Sequence, residues 1–260
     1  MEVHAHTHSP RKKWTHYLWE FLMLFLAVFC GFLAENKREH IVEKKRAKAY
    51  AKGFLLDLRE DRGELRRGSN QTRFYLRAID SVISIGNKIK DGEAVPGYFY
   101  YYGKFCTGFF RIDWARATID QLIQSGNLRY FSNKELVVNI NFYYYMQGII
   151  NAQNQLDMVQ KDKMSEFRND IFLSRYYVLF DDLDPRKEAD RHEPSAIVDS
   201  LMNQKLPLQP GAISKMNAFI NYASDRKVKL LLILNRYYSL ADTIAKDVTE
   251  GLSKEYHLEK

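Results

Sequence analysis

Apolar residues fill positions 21–34 without a break (FLMLFLAVFCGFLA), and Tyr17, Leu18 and Trp19 stand just before them. Over residues 17–34 the one charge is Glu20. At a helical rise of ~1.5 Å per residue this stretch is about 27 Å long, close to the ~30 Å hydrocarbon thickness of a bilayer. Arg11, Lys12 and Lys13 precede it, and Lys37, Arg38, Lys44, Lys45, Arg46 and Lys48 follow it. Basic flanks with Tyr17 and Trp19 at one edge predict a membrane-spanning helix with interfacial anchors. An uncleaved anchor fits better than a signal peptide, because Phe32 occupies a position where cleavage before Glu35 needs a small residue.

The pattern then turns amphipathic. Ala47, Ala51, Phe54, Leu58 and Leu65 fall on one stripe of a helix, and Leu76, Ile79, Ile83 and Gly86 resume the rhythm. This predicts a long helix running from the span to Lys90, with a kink near Gly68-Ser69 and a stop at Asp91-Gly92 and Pro96-Gly97. Residues 98–110 (YFYYYGKFCTGFF) hold eight aromatics in thirteen positions, and Gly103 and Gly108 predict an ordered loop or short helical turns. Asp113 is placed to cap a short helix from Trp114 to Gln124, ended by Gly126-Asn127. Ser132 and Glu135 have the S-x-x-E spacing of a capping box, opening a helical pattern that continues to about Phe180.

Pro185, Pro194, Pro207 and Pro210 mark residues 183–210 as a connection. From Gly211, a 3-4 register runs through Ile213, Met216, Ile220, Ala223, Lys227, Leu230, Leu234, Tyr237, Ala241, Ile244 and Val248. Such a register predicts coiled-coil-like packing against neighbouring helices. No strand alternation interrupts these patterns. The expected fold is all-α: a short basic, His-containing tail (1–16), a transmembrane helix (17–34) continuing into a long helix, and an antiparallel helical bundle over 35–260.

The formal net charge of +7 is unevenly placed: residues 1–52 carry +5 and residues 53–260 carry +2. A basic excess beside an apolar span suits anionic lipid headgroups and argues against a nucleic-acid face. The two cysteines, Cys30 within the apolar run and Cys106 in the aromatic segment, form no disulfide framework.

Candidate chemistry is sparse. His4, His6 and His8 alternate in a terminal tail, and imidazole suits transition metals, but so short a terminus reads as a solvated tail. Asp181, Asp182, Asp184, Glu188, Asp190, His192 and Glu193 make an acidic stretch without the ligand spacing or central glycine of an EF-hand. Glu20 lies near the headgroups, as a hydrated edge carboxylate rather than an ion-handling group. HExxH, GxSxG, P-loop, CxxC and dinucleotide fingerprints are absent from the sequence, so neither a catalytic residue nor a cofactor or metal is assigned. The surface candidate is the aromatic segment, where Tyr101, Tyr102, Lys104, Phe105 and Arg111 could line a ligand cleft, or the aromatics could fill gaps between helices.

Three blocks carry a resemblance. One is residues 14–65, with the junction GFLAENKREH and a helix bearing the xxDLxxD pattern at Asp57 and Asp61. The others are TIDQLIQSGNLRYFSNKEL at 118–136 and the INFYYY that follows it. Together they resemble an uncharacterised family of single-pass, membrane-anchored helical proteins of Bacteroidetes-type bacteria. The resemblance implies an anchored helical domain and brings no activity.

Three readings compete. The leading one is a non-catalytic membrane-anchored interaction or scaffold protein, associating with anionic lipid, with itself as a homo-oligomer or with another membrane protein. The second is a membrane-tethered sensor whose aromatic pocket binds a small ligand and acts through a partner. The third is an enzyme of unrecognised class. Tyrosines 98–102 converging on an open pocket would favour the second or third, and their packing against helices the first. Localisation follows as a bacterial inner membrane, with seven Lys/Arg after the span against three before it leaning the C-terminal domain to the cytoplasm.

Overall fold

The computed structural model describes residues 13–190 and 196–258, with side chains from residue 199 onward in the second stretch. The three tail histidines, and His192, Glu193 and Pro194 of the connection, lie outside the described residues. The chain divides into two compact units, Met1–Tyr50 and Ala51–Lys260. The fold is all-α, as the patterning predicts.

The first element, α1 (Trp14–Gly86), is helical throughout its 73 residues. Within its apolar N-terminal part, an 18-residue window is apolar enough to cross a membrane and has none of its residues buried. The helix runs unbroken through the expected kink site at Gly68-Ser69: Gly68 stays helical and buried, and a Cβ there would meet the Phe110 ring at 2.9 Å, so this glycine serves close packing. The helix ends at Gly86, before the expected Lys90.

In the second unit, α2 (Gly97–Phe105) follows a two-residue strand, β1 (Val95–Pro96). Next come α3 (Ala117–Gln124), a 3-10 turn at Asn127–Tyr130 and α4 (Lys134–Ile171). Helix α4 stops at Ile171, short of the expected Phe180, and a separate short helix α5 (Ser174–Tyr177) follows; α6 (Pro185–Asp190) and α7 (Ala196–Met202) lie in the connection. Strand β2 (Lys205–Leu206) pairs antiparallel with β1. The chain closes with α8 (Ala212–Leu232), a π-helical turn at Ile233–Tyr238 and α9 (Ser239–Tyr256).

The aromatic segment is thus a nine-residue helix followed by extended chain. A simple N-cap one residue further on replaces the expected capping box: Asn133, not Ser132, caps α4, its side chain accepting from the Leu136 N–H at 3.1 Å. Gly126, at φ 65, provides the expected left-handed turn after α3.

Helix α4 packs on α8 and α9. Phe172 meets Phe219, Asp157 meets Arg226 and Phe131 meets Tyr256, so these elements run antiparallel. Asp80 meets Lys227 and Arg62 meets Asp242, which sets residues 51–86 of α1 antiparallel to the last helices too. α1 and α4 therefore share one direction. Ala51, Phe54, Leu58, Leu65, Leu230, Leu234 and Val248 are all buried, as their periodicity predicts.

Candidate functional site

Most of the aromatic segment forms an internal strut. Phe99, Tyr100, Tyr101 and Phe105 are buried, with Tyr101 and Phe105 edge to face against one another and against Phe74. A Cβ on Gly103 would stand 2.6 Å from the Phe172 ring, so the glycine admits that ring against the helix. Polar tips are satisfied inside: the Tyr100 hydroxyl donates to the Pro207 carbonyl and accepts from the Leu173 N–H, and Tyr101 bonds Glu188 at 2.9 Å. Tyr102 is half-buried beside Tyr98. Lys104 pairs with Asp181 and lies 5.2 Å over the Tyr177 ring.

Tyr101, Tyr102, Lys104 and Phe105 thus share α2, while Arg111 sits apart on the extended chain, paired with the equally exposed Asp113. Arg111 borders a hollow of about 770 Å³ with Phe109, Trp114, Asn151 and Met158. Cys106 is no nucleophile: burial pushes its thiol up to about 12, and it points to the Gly103 carbonyl.

The extended chain after α2 is held by Arg226, which is fully buried. Its Nε and Nη2 donate to the two Asp157 oxygens, each at 2.8 Å. Its Nη1 and Nη2 also donate to the carbonyls of Cys106 and Gly108, at 2.7 and 2.6 Å. One guanidinium therefore ties α8, α4 and the loop together.

A second cluster, with Asp61 and Tyr143 at its buried centre, joins α1, the start of α3 and α4. Asp57 accepts from the Thr118 N–H at 2.9 Å, capping α3 from outside its own sequence. Asp61 accepts from the Ala115 N–H at 2.7 Å, the Tyr143 hydroxyl at 2.7 Å and the Gln147 amide at 3.0 Å. This replaces the expected local cap: α3 begins at Ala117, and Asp113 does not cap it. The xxDLxxD spacing puts two carboxylates one turn apart on α1, which is the signal for this role. Burial pushes Asp61 up to about 6, with the Asp57 charge adding to the rise while its hydrogen bonds oppose it. Both carboxylate oxygens are occupied, so the cluster is a structural knot and not an open reaction centre.

Two surface features remain. A hollow of about 560 Å³ is lined by Arg59, Arg62, Arg66 and Arg73 of α1, facing Leu234 and Tyr238 of the π-turn and Asp242 of α9. On α4, Val138, Phe142, Tyr145, Ala152, Leu156 and Val159 are exposed and Ile149 half-exposed. These seven positions step by 4, 3, 4, 3, 4 and 3 residues. No group of His, Cys, Asp and Glu able to hold a metal occurs among the described residues. No protein-family model, curated protein or solved structure matches the chain.

Proposed function

We propose that this chain is a membrane-anchored, non-catalytic helical interaction module that self-associates through the outward face of α4. The observation that carries this reading is the apolar stripe at 138, 142, 145, 149, 152, 156 and 159. Contiguous exposed apolar surface of this kind marks a contact site. Its 3-4 spacing over three heptads is the seam geometry of paired helices.

A second copy is the occupant that the chemistry favours. Between residues 138 and 159 the one charge is Asp157, and it is buried against Arg226. The positions flanking the seam are amides such as Asn141, Gln153 and Gln155, which bring no like-charge conflict when the face meets itself. Gly148 and Ala152 leave the centre flat enough for close approach. Lys134 and Glu135 at one end, and Lys161, Asp162, Lys163 and Glu166 at the other, supply both signs of charge for pairing in either direction.

The anchor would hold the module in a bacterial inner membrane among anionic headgroups, with the C-terminal domain in the cytoplasm on the Lys/Arg count. The internal use of α2's aromatics supports an interaction role over a sensor built on that segment. The sensor reading keeps one supporting observation, the hollow beside Trp114 and Arg111.

The test is the oligomeric state of the full chain, extracted from carbonate-washed membranes into neutral detergent, by light scattering. A dimer is expected, and Tyr145→Glu with Leu156→Glu should yield a monomer that melts like the parent. Central seam residues contribute about 2 kcal/mol or more each, roughly thirtyfold in Kd. Recovery of the chain in the carbonate wash would overturn the anchor. A monomeric parent, or a variant still dimeric, would overturn the seam.

A further inference from the structure

We propose that the arginine-lined hollow between α1 and the π-turn binds a phosphate ester of several negative charges. Arg59, Arg62, Arg66 and Arg73 repeat at helical spacing along one face of α1, and the one acid in the lining, Asp242, is taken by Arg62 at 2.7 Å. Arg59 and Arg66 are exposed with no acidic partner among the described residues, and Arg73 reaches only the Asn70 side chain, at 3.4 Å. Four guanidiniums beside one carboxylate leave a concentrated positive field that raises the local concentration of anions. Planar guanidinium forks match phosphate oxygens two at a time.

The opposite wall is a separate indication. A π-helical turn inside an α-helix is rare and tends to mark functional positions, and this one contributes Leu234 and Tyr238 to the hollow. The volume, about 560 Å³, lies in the range of small-molecule sites. The lining favours phosphate over a single carboxylate because the excess charge exceeds what one carboxylate neutralises. The shared chemistry is the phosphate group, whether free in solution or on a lipid head.

The experiment titrates the full chain in neutral detergent with inorganic tripolyphosphate, and separately with short-chain phosphatidic acid below its micellar concentration. Calorimetry is run at low and at high salt. Binding that weakens with salt is expected. Arg59→Gln with Arg66→Gln should lower affinity at least about tenfold, from the loss of charge-assisted hydrogen bonds. Arg111→Gln, in the other hollow, should leave it unchanged. Tripolyphosphate binding with that pattern identifies a free phosphate compound as the ligand source, and binding of phosphatidic acid alone identifies a lipid head. Neither ligand binding at about 1 mM would overturn the proposal. So would equal loss in the Arg111 variant, or an oligoglutamate peptide binding more tightly than either phosphate.

Discussion

Replacing Arg226 with methionine should destabilise the helical unit by about 3–5 kcal/mol, the cost of leaving a buried charge without its partner. The side chain is fully buried, and its fork holds both oxygens of Asp157 as well as two loop carbonyls. Methionine fills much of the volume but returns none of these hydrogen bonds. Asp157 is then an unpaired carboxylate in an apolar setting, and the Cys106 and Gly108 carbonyls lose a donor. Arg226→Lys should be only a partial repair, since a point charge cannot reproduce the planar fork. The informative comparison is Arg226→Met with Asp157→Leu. Removing both charges should recover a large part of the loss, because the uncompensated carboxylate is gone. Urea unfolding of the full chain in neutral detergent measures all three. A single variant within about 1 kcal/mol of the parent would show that the clamp is not anchoring the loop.

That residue also marks the limit of what the sequence could disclose. The 3-4 register from Gly211 correctly reads Met216, Ile220, Ala223, Leu230, Ala241, Ile244 and Val248 as core positions. Hydrophobic periodicity has no means of assigning a buried arginine, because its burial depends on an aspartate 69 positions away and on two carbonyls of a loop. Lys227, the polar residue the register singles out, is only half-buried and reaches Asp80 of α1, while its neighbour Arg226 goes inside. The π-turn was equally hidden, since one extra residue in a turn leaves the local composition unchanged.

The same distinction explains the caps. Asn133 caps α4 from within its own sequence and was displaced by one position only. Helix α3 takes an N-terminal acceptor from Asp57, 61 residues before Thr118, and Asp61 holds the Ala115 N–H just ahead of the helix. The aromatic segment was legible as an unusual feature but not as a helix, because Gly103 reads locally as a helix breaker and acts here by admitting Phe172. The stripe on α4 was legible in principle. Positions 136, 140, 143, 147 and 150 trace the inward face, and 138, 142, 145, 149 and 152 a second apolar line beside it. The chain packs α8 and α9 on α4 and leaves the second line largely exposed.

Asp61 should make the stability of the helical unit fall as pH rises from about 4 to about 6. Its carboxyl, near 3.8 when solvated, is pushed up to about 6 by burial. Between those values the folded protein holds a proton that the unfolded chain has released, so raising the pH favours unfolding. The difference amounts to about 3 kcal/mol when fully developed above pH 6. Asp61→Asn should remove this slope. An amide suits the site once the Gln147 amide turns, because the Gln147 Oε1 is buried with no donor and can accept from the new N–H. Asp61→Ala should be worse than Asn at every pH, since it strands the Tyr143 hydroxyl, the Gln147 amide and the Ala115 N–H at about 1–3 kcal/mol each. Urea midpoints at pH 4.5, 5.5 and 7 for the parent and both variants provide the test. If Asp61→Asn keeps the parent's slope, the proton resides elsewhere. If the parent gains stability with pH and Asp61→Asn abolishes that gain, the three donors outweigh burial, and this cluster stabilises the charged carboxylate.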